Sequence, residues 1–342
     1  MPLLSVSANQ AMELMDKAVR EKTPFVFVLD YELSRAYFVT HPLEQADIRF
    51  SIRGEGNATG VKRAKDYSFD TYPEPIETYS QRFKTIQTAL RRGDSFLANL
   101  TVATPVNMSL TLTEVYDYAL APYKLHIPNH LVCFSPEPFV DISADGRISS
   151  CPMKGTIDAS LPKAETLLKS NPKELAEHYT IVDLIRNDLS RVAEQVQVDH
   201  FRYTDRIETN HGPILQMSSR ISGRLQEQFL QSWGSVFRQL LPAGSISGAP
   251  KQATMDAIAQ AEGKPRGFYS GVFGYFDGAS LHSAVMIRYV EQLVEGMDEE
   301  QAARLSTSDQ PMFIFRSGGG ITVHSQEQSE YAETQQKVYL PF

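Results

Sequence analysis

The order of the predicted strands is the feature of this sequence that most constrains its fold. Runs rich in β-branched and aromatic residues, bounded by turn-forming residues, are typical of strands. Such runs occur at 24–30, 96–106, 131–142, 268–276, 282–290, 312–316 and 321–323. They run consecutively rather than alternating strictly with helices, as a doubly wound parallel sheet would require. The chain is therefore expected to have an α+β fold with mainly antiparallel sheets.

Helical periodicity is found in two segments of the first hundred residues. The segment 8–22 predicts an amphipathic helix, and 79–92 predicts a second one that stops at Gly93, a residue typical of helix C-termini. The charged and polar segment 292–310 is expected to be an extended hairpin connection that includes a short helix at 298–304.

The chain of 342 residues is long enough for two domains or one large unit. A region from 54 to 75 that contains Gly, Asn, Asp and Pro is expected to be a loop. We therefore expect a short N-terminal part, 1–75, followed by a larger core, 76–342.

Composition excludes several classes of protein. Lys and Arg number 33 against 41 Asp and Glu, a formal charge of −8, which argues against binding to nucleic acid or an anionic membrane. Two cysteines, Cys133 and Cys151, form no disulfide framework and suit a reducing cytoplasm. The N-terminus lacks the pattern of a signal peptide, and no long uncharged apolar run occurs. A cytoplasmic protein is expected.

Two acidic pairs stand far apart in the sequence, Glu174 with Glu177 and Glu330 with Glu333. The i, i+3 spacing places both carboxylates of a pair on one face of a helix. Two such faces could converge on a hard cation such as Mg²⁺, which prefers oxygen ligands. The sequence therefore indicates a site for a divalent ion and a small anionic ligand.

The setting of the first pair leaves two interpretations open. Asn171 and Pro172 are typical of a helix start, so Glu174 could simply belong to the cap. In helical projection, however, both glutamates share an arc with His178 and several apolar residues. Acidic side chains on an apolar arc need partners or a metal.

The second pair has an equally ordinary alternative. Ser325 is expected to cap a helix that runs to about Val338, on which Glu333 and Lys337 could form an exposed ion pair. The preceding residues 318–320 are three glycines between two predicted strands. They could form a tight turn, or they could let the backbone approach and bind a carboxylate.

Three further segments carry side chains suited to anions or to nucleophilic chemistry. The segment 244–251, which contains Ser247, is glycine-rich and precedes a helix start, a setting that favours anions. Arg288 ends an apolar strand and is either paired structurally or available to a carboxylate. Lys154 lies in a predicted loop at 152–156, where it is either solvated or, if desolvated, a nucleophile.

These segments together resemble the chorismate-utilising enzymes, and most closely the aminodeoxychorismate synthase component I type. The matching stretches are GD at 93–94, NL at 99–100, SPEPF at 135–139, PMKGT at 152–156, EH at 177–178, IVDLIRNDLSRV at 181–192, GSISGAPK at 244–251, RGFYSGVFGYF at 266–276, IR at 287–288, GGGI at 318–321 and SEYAET at 329–334. They occur in order from about residue 79 to the C-terminus. The first 75 or so residues resemble only a shortened N-terminal part of the family.

The resemblance implies two layered lobes with mainly antiparallel sheets and outer helices, and an active site in the cleft between them. It implies that Mg²⁺ is held by Glu174, Glu177, Glu330 and Glu333. It also implies that the carboxylates of chorismate are bound by Tyr269, Arg288, Gly319, Gly320 and Lys337, together with the segment that contains Ser247. Glu137 and Thr156 are expected beside the reacting ring.

Lys154 is the residue that indicates the product. In the aminodeoxychorismate type a lysine at this position is thought to add to ring atom C2 as the 4-hydroxyl leaves, after which ammonia attacks C4. The resemblance thus implies amination of chorismate with ammonia, in the para-aminobenzoate branch of folate synthesis. A glutamine amidotransferase subunit would supply the ammonia.

The chain departs from the family at two positions. Leu97 and Gln216 stand where Gln and His are common. The change to Leu97 bears on how the site handles ammonia. The change to Gln216 disfavours the formation of anthranilate. The alternatives are an anthranilate or isochorismate synthase on the same fold, and a binding subunit without catalysis.

Overall fold

Residues 5–209, 212–248, 250–292 and 313–342 are described by the computed structural model of the protein. The helices are α1 Ala8–Glu21, α2 Ile76–Arg92, α3 Leu112–Tyr118, α4 Ala164–Ser170, α5 Pro172–Ser190, α6 Trp233–Leu240, α7 Gly244–Ser247, α8 Lys251–Glu262 and α9 Glu327–Gln336. Short 3-10 helices span Pro42–Glu44 and Glu227–Phe229. The predicted hairpin at 292–310, with its helix at 298–304, lies outside the described residues except for residue 292.

In the described parts of the chain, sixteen strands form two sheets. They are β1 Phe25–Leu29, β2 Ala36–Thr40, β3 Arg49–Ile52, β4 Phe69–Thr71, β5 Ala98–Met108, β6 Tyr123–Ile127, β7 Leu131–Ser135, β8 Pro138–Ile142, β9 Arg147–Ser150, β10 Met153–Asp158, β11 Ala193–Thr209, β12 Gly212–Leu225, β13 Val272–Phe276, β14 Leu281–Val285, β15 Tyr289–Gln292 and β16 Phe313–Ile321.

Both sheets are antiparallel, as the consecutive strands predict. The first has the order β10-β12-β9-β8-β14-β13-β1-β2, with β11 also paired to β12. The second has the order β3-β6-β7-β15-β16-β5-β4. Every strand pair in the described part of the chain is antiparallel, which confirms the α+β class.

The two sheets face each other, and helices cover their outer sides. Strand β1 shows why, because all five of its residues are buried and alternate between two cores. Phe27 packs against Phe237 of α6 on the outer side, with ring centroids 4.9 Å apart. Val26 belongs to a core that also contains Phe50 of the second sheet and Tyr275 of the first. The second sheet is covered by α2, α3 and α8.

Two predicted strands are each divided between the sheets. The segment 131–142 forms β7 in the second sheet and β8 in the first, and 282–290 forms β14 in the first and β15 in the second. Each segment is apolar and buried on both sides of its break, but the break itself is marked by Pro136, Glu137 and Pro138 in the first and by Arg288 in the second. These residues interrupt each run without showing that its two halves belong to different sheets. The chain crosses between the sheets at Glu137 and at Arg288.

The three glycines at 318–320 lie within one strand, not between two. Residues 313–316 of the first predicted strand and Ile321 of the second belong to β16, whose residues from Phe313 to Ile321 all pair with β5. Residues 322–323 lie beyond the end of this strand, and residue 312 lies outside the described residues. Glycine is depleted in strands, so the triplet resembled a break. The predicted strand 268–276 likewise begins only at Val272.

The predicted N-terminal helix is confirmed as α1, where the Ser7 side chain accepts a hydrogen bond from Gln10 N at 3.2 Å. The predicted helix 79–92 is α2, which begins three residues earlier and has Gly93 as its C-cap at φ 82°. The predicted loop at 54–75 contains the short strand β4. Residues before 76 contribute strands to both sheets, and the boundary at 75 stays a prediction. Across the described segments, no helix has the length and apolar character needed to span a bilayer.

Candidate active site

A cavity of about 630 Å³ is lined by strands of both sheets, by α5, α7 and α9, and by the two crossover points. The lining residues include Glu137, Lys154, Thr156, Glu174, Glu177, Tyr269, Arg288, Gly319, Gly320, Glu330, Glu333 and Lys337. All of the site residues expected from the sequence are therefore brought together, with the exception of Ser247. Leu97 and Gln216, the two departures from the family pattern, also line the cavity.

Helix α5 brings the first acidic pair to the cavity. Asn171 caps the helix by accepting a hydrogen bond from Glu174 N at 3.3 Å. This cap uses the backbone of Glu174 and not its side chain. Its side chain remains available to line the cavity, as does that of Glu177. The next residue, His178, is fully buried. Burial, and after it the charge of Arg202, lowers the pKa of His178 to about 4, so the ring is neutral at neutral pH.

A β-bulge in β10 carries Lys154, which the sequence placed in a loop. The register of β10 against β12 shifts between Met153 and Thr156. Lys154 and Gly155 therefore lie together opposite a single residue of β12, an arrangement that bends a strand and re-aims its side chains. Gly155 has φ of 88°, and a Cβ atom there would lie 2.8 Å from Oε2 of Glu174. Only glycine fits this close approach.

Lys154 lies against the first acidic pair. Its Nζ is 3.2 Å from Oε2 of Glu177, and its side chain is 33% exposed, toward the cavity. Burial lowers the pKa of Lys154, but Glu177, Glu333 and Glu174 together raise it above the ordinary value. The surrounding carboxylates outweigh burial in this arrangement, and the expectation that Lys154 acts as a nucleophile stays a prediction. The group is an ammonium at neutral pH.

Helix α9 carries the second acidic pair. Its N-cap is Gln326 rather than the predicted Ser325, whose Oγ instead accepts a hydrogen bond from Thr322 N at 3.1 Å. Glu330 is only 5% exposed, which excludes an ordinary surface position. Glu333 forms the expected i, i+4 ion pair with Lys337, at 2.6 Å.

The glycine triplet forms one wall of the cavity. One edge of β16 pairs with β5 along its whole length, and the other edge pairs with β15 only as far as Arg316. Beyond Arg316, no described strand pairs with that second edge. A Cβ atom on Gly319 would lie 3.6 Å from Oε2 of Glu330, and one on Gly320 would lie 3.7 Å from Nζ of Lys154. Without side chains, the backbone of the strand faces the acidic pairs and Lys154 directly.

The first crossover supplies Glu137. Burial raises the pKa of this carboxyl above its ordinary value, although a hydrogen bond with Ser245 and the charges of Lys154 and Arg288 act in the opposite direction. A carboxyl with a raised pKa can carry the proton that a departing hydroxyl needs. Glu137 is thus a candidate general acid.

Helix α7 presents Ser245, not Ser247, to the cavity. Ser247 is fully buried, and its Oγ donates to Ala243 O at 3.1 Å. It is absent from the cavity lining in the described part of the chain, whereas Ser245 is present. The sequence shows two serines two positions apart, which point to different sides of a helix. Choosing between them requires the orientation of α7.

The second crossover supplies Arg288, with Tyr269 close by. Arg288 has φ of 55°, which is uncommon for a residue with a side chain. Its guanidinium lies 5.5 Å from the ring centroid of Tyr339, a cavity residue that the sequence did not single out. Tyr269 is 3% exposed, and burial raises its pKa to about 12 despite the neighbouring Arg288. Tyr269 therefore stays neutral and can donate a hydrogen bond.

The donor set suits a hard divalent cation. The two acidic pairs offer only carboxylate oxygens, the ligands that Mg²⁺ prefers. Within the described ranges, no three His, Cys, Asp or Glu side chains are gathered as a ready metal site. Instead, the carboxylates of Glu177 and Glu333 contact the ammonium groups of Lys154 and Lys337. The residues thus fit such an ion in number and chemistry, with these ammonium groups beside the ligands.

The chain is similar to a known protein family and to individual relatives. A model of the chorismate binding enzyme family matches residues 45–341. A Haemophilus influenzae relative, described as an uncharacterized PabA-like protein, is 48% identical over 94% of this chain and 93% of its own length. Aminodeoxychorismate synthase component 1 of Bacillus subtilis is 26% identical over 92% of this chain and 67% of that protein.

A solved structure, anthranilate synthase component I from Streptococcus pneumoniae TIGR4, aligns with a TM-score of 0.62 and 25% identity. The alignment covers 79% of this chain and 58% of the other. The family model spans most of the sequence and includes every residue of the cavity described above. The protein therefore belongs to the chorismate binding enzyme family.

Proposed function

We propose that this protein aminates chorismate with ammonia to form 4-amino-4-deoxychorismate in a Mg²⁺-dependent reaction. The observation that carries the proposal is the position of Lys154. Its amine lies in the cavity wall beside Glu177, on a bulge that turns it toward the space enclosed by both acidic pairs. A lysine so placed can act as a nucleophile toward a bound ring.

The charged residues divide into two groups by their expected partners. Glu174, Glu177, Glu330 and Glu333 would hold Mg²⁺, which when bound would neutralise the ring carboxylate of the substrate and stabilise developing charge. Arg288 and Lys337 offer cations to carboxylates. The free edge of β16 offers a backbone N–H group from Gly319 or Gly320 but not from both, because successive N–H groups of a strand point to opposite edges and one of the two is directed at β5. Tyr269 can donate its phenolic proton.

The proposed reaction proceeds in two displacements. The Lys154 amine, after losing a proton, adds at ring atom C2, the double bond shifts, and the 4-hydroxyl departs. Glu137 donates the proton that makes this leaving group water, and Thr156 also lines the cavity. Ammonia then adds at C4, the double bond shifts back, and the bond to Lys154 breaks. The net change is chorismate plus ammonia to 4-amino-4-deoxychorismate plus water.

The Lys154 amine contacts Glu177, and it would lose its proton to solvent before it adds to the ring. The ammonia would come from a glutamine amidotransferase subunit. Both cysteines of this chain are free thiols, Cys133 buried and Cys151 partly buried, and neither lines the cavity. A cytoplasmic location fits these free thiols and remains part of the proposal.

The alternative is anthranilate formation on the same fold, which the likeness to anthranilate synthase component I supports. Gln216 lines the cavity and pairs with Thr156 across the strands. An amide cannot serve as the ring base that the aromatising reaction uses. This residue therefore favours amination over anthranilate formation.

The proposal is tested by incubating the purified chain with chorismate, Mg²⁺ and an ammonium salt at mildly alkaline pH. The product is identified by mass and absorbance, and parallel reactions omit Mg²⁺ or ammonium. We expect 4-amino-4-deoxychorismate only when both are present. Formation of anthranilate or isochorismate, or recovery of unchanged chorismate, would overturn the proposal.

A further inference from the structure

We infer that His178 is a positioning residue that holds the bulged strand of Lys154 at a fixed distance from helix α5. The inference rests on the proposed function for its catalytic consequence. It concerns a side chain outside the cavity lining, so it assigns no contact with substrate.

The anchor is a hydrogen bond across two elements. Nε2 of His178, on α5, lies 2.7 Å from Oγ of Ser219, on β12, and both residues are fully buried. Ser219 N donates to Pro152 O at 3.1 Å, immediately before the strand that carries Lys154. A single serine thus links the helix of Glu177 to the start of β10.

This link lies where the pairing between β10 and β12 is irregular. The register shift between Met153 and Thr156 leaves Lys154 without regular pairing to β12. A second shift occurs in β11 between His200 and Tyr203, and there the N–H of Arg202 donates to Oγ of Ser219 at 2.9 Å. Ser219 therefore connects two irregular strands, and His178 connects both of them to α5.

The consequence concerns the contact between Lys154 and Glu177. These residues belong to different elements, and their 3.2 Å separation depends on how β10 lies against α5. His178 follows Glu177 directly, so its hydrogen bond fixes the backbone next to Glu177. Ser219 fixes the backbone at Pro152, two residues before Lys154. A misplacement of about 1 Å at a reacting group can cost about a hundredfold in rate.

Three variants separate hydrogen bonding from packing. His178→Phe fills the site without the hydrogen bond, and His178→Gln retains an amide that can reach Ser219. Ser219→Ala removes the other partner. Ser283→Ala is the matched control, because Ser283 is also a fully buried serine of the first sheet, bonded to Val140 O at 2.6 Å and outside the cavity lining.

In the amination assay, His178→Phe and Ser219→Ala should each lower kcat by about tenfold to a hundredfold. KM for chorismate should change far less, and His178→Gln should recover much of kcat. Ser219→Ala also removes the acceptor of Arg202 N–H, so the double variant should be no worse than Ser219→Ala alone. Additive losses, a rise confined to KM, or an equal loss in Ser283→Ala would overturn the inference.

Hydrogen exchange measured by mass spectrometry tests the positioning without any activity. Amides of residues 152–158 should exchange several-fold faster in His178→Phe than in the wild type or in His178→Gln, and Ser283→Ala should leave them unchanged. If the wild type fails to aminate chorismate while this exchange pattern appears, the proposed function fails and the anchor stands. Unchanged exchange in His178→Phe would overturn the anchor itself.

Discussion

Nζ of Lys154 lies 3.2 Å from Oε2 of Glu177, and this contact joins a bulged strand of the first sheet to the helix that carries the first acidic pair. Burial lowers the pKa of the amine, but the carboxylate raises it, so the contact favours the ammonium form of Lys154.

Replacing Lys154 distinguishes a nucleophile from a structural charge. Lys154→Ala should lower amination by about a thousandfold or more, the order of loss expected when a covalent nucleophile is removed. Chorismate binding in the presence of Mg²⁺, measured by calorimetry, should be largely kept. Lys154→Arg is the control, since it keeps a positive charge beside Glu177 but not the amine. An active arginine variant would show that only the charge matters, and loss of both binding and fold in Lys154→Ala would assign Lys154 to stability.

Gly155→Ala should displace the carboxylate of Glu174, in addition to the free-energy cost of a side chain at positive φ. At φ of 88° an added Cβ costs about 1–2 kcal/mol, and here it would also lie 2.8 Å from Oε2 of Glu174. Gly54→Ala is the matched control, because Gly54 has φ of 87° and nothing within 4 Å of an added Cβ. Both variants should lose similar thermal stability, but only Gly155→Ala should need more Mg²⁺ for half-maximal activity. Equal Mg²⁺ requirements would remove Glu174 from the proposed ligands.

The two serines of α7 should separate turnover from stability. Ser245→Ala removes a hydrogen bond to Glu137 and should lower kcat several-fold with little change in unfolding free energy. Ser247→Ala removes a buried bond to Ala243 O and should cost about 1 kcal/mol in urea unfolding with kcat retained. The reverse pattern would return Ser247 to the substrate site.

Local patterns account for the parts of the site that were predicted. The i, i+3 glutamates lie on helices whose start and arc are visible in sequence, as the cap at Asn171 and the burial of His178 show. Consecutive strands likewise indicate antiparallel sheets. These features depend on neighbours a few residues away, so sequence alone is sufficient for them.

Non-local pairing accounts for the parts that were missed. The crossovers at Glu137 and Arg288 interrupt two apolar segments, and only the pairing of the strands decides that the two halves of each segment belong to different sheets. The bulge at Lys154 depends on the register of β12, which is distant in sequence. The choice between Ser245 and Ser247 depends on how α7 is oriented against β5 and α5.

The buried ion pair of Arg266 and Glu262 should stabilise the fold because each residue neutralises the charge of the other. Arg266 is 1% exposed and donates to Glu262 at 2.7 Å and to Asn99 O at 2.7 Å. Glu262 in turn accepts from Thr101 N at 2.9 Å, so the pair fixes the part of β5 opposite the glycine triplet. Arg266→Met should lower the free energy of unfolding by about 3–5 kcal/mol, because it leaves a buried carboxylate unpaired.

Adding Glu262→Leu to Arg266→Met should restore part of that loss, since no unpaired charge then remains. Urea unfolding of the two single variants and the double variant gives the comparison. A double variant as unstable as the sum of the singles would show that the hydrogen bonds to β5, rather than the pairing of charges, carry the effect.

Activity and the contribution of Glu137 to stability should both fall as pH rises through the folded-state pKa of this carboxyl. Burial raises its pKa in the folded state, so between the ordinary and the raised pKa the folded protein binds more protons than the unfolded chain. Its contribution to stability is therefore present at low pH and is lost as pH rises through the folded pKa. The proton needed by the leaving hydroxyl is lost over the same range.

Glu137→Gln keeps a partner for Ser245 but carries no acidic proton. It should abolish most turnover while making the protein more stable than the wild type at neutral pH, because no buried carboxylate has to be charged there. Melting temperatures measured across pH should fall less steeply for Glu137→Gln than for the wild type as pH rises through the folded pKa. If the two profiles run parallel, Glu137 titrates as it does in the unfolded chain and the assignment of the general acid fails. Glu114→Gln serves as the control, since Glu114 lies outside the cavity and a hydrogen bond with Lys65 lowers its pKa. The contribution of Glu114 to the stability of the fold is therefore lost as pH falls, not as it rises.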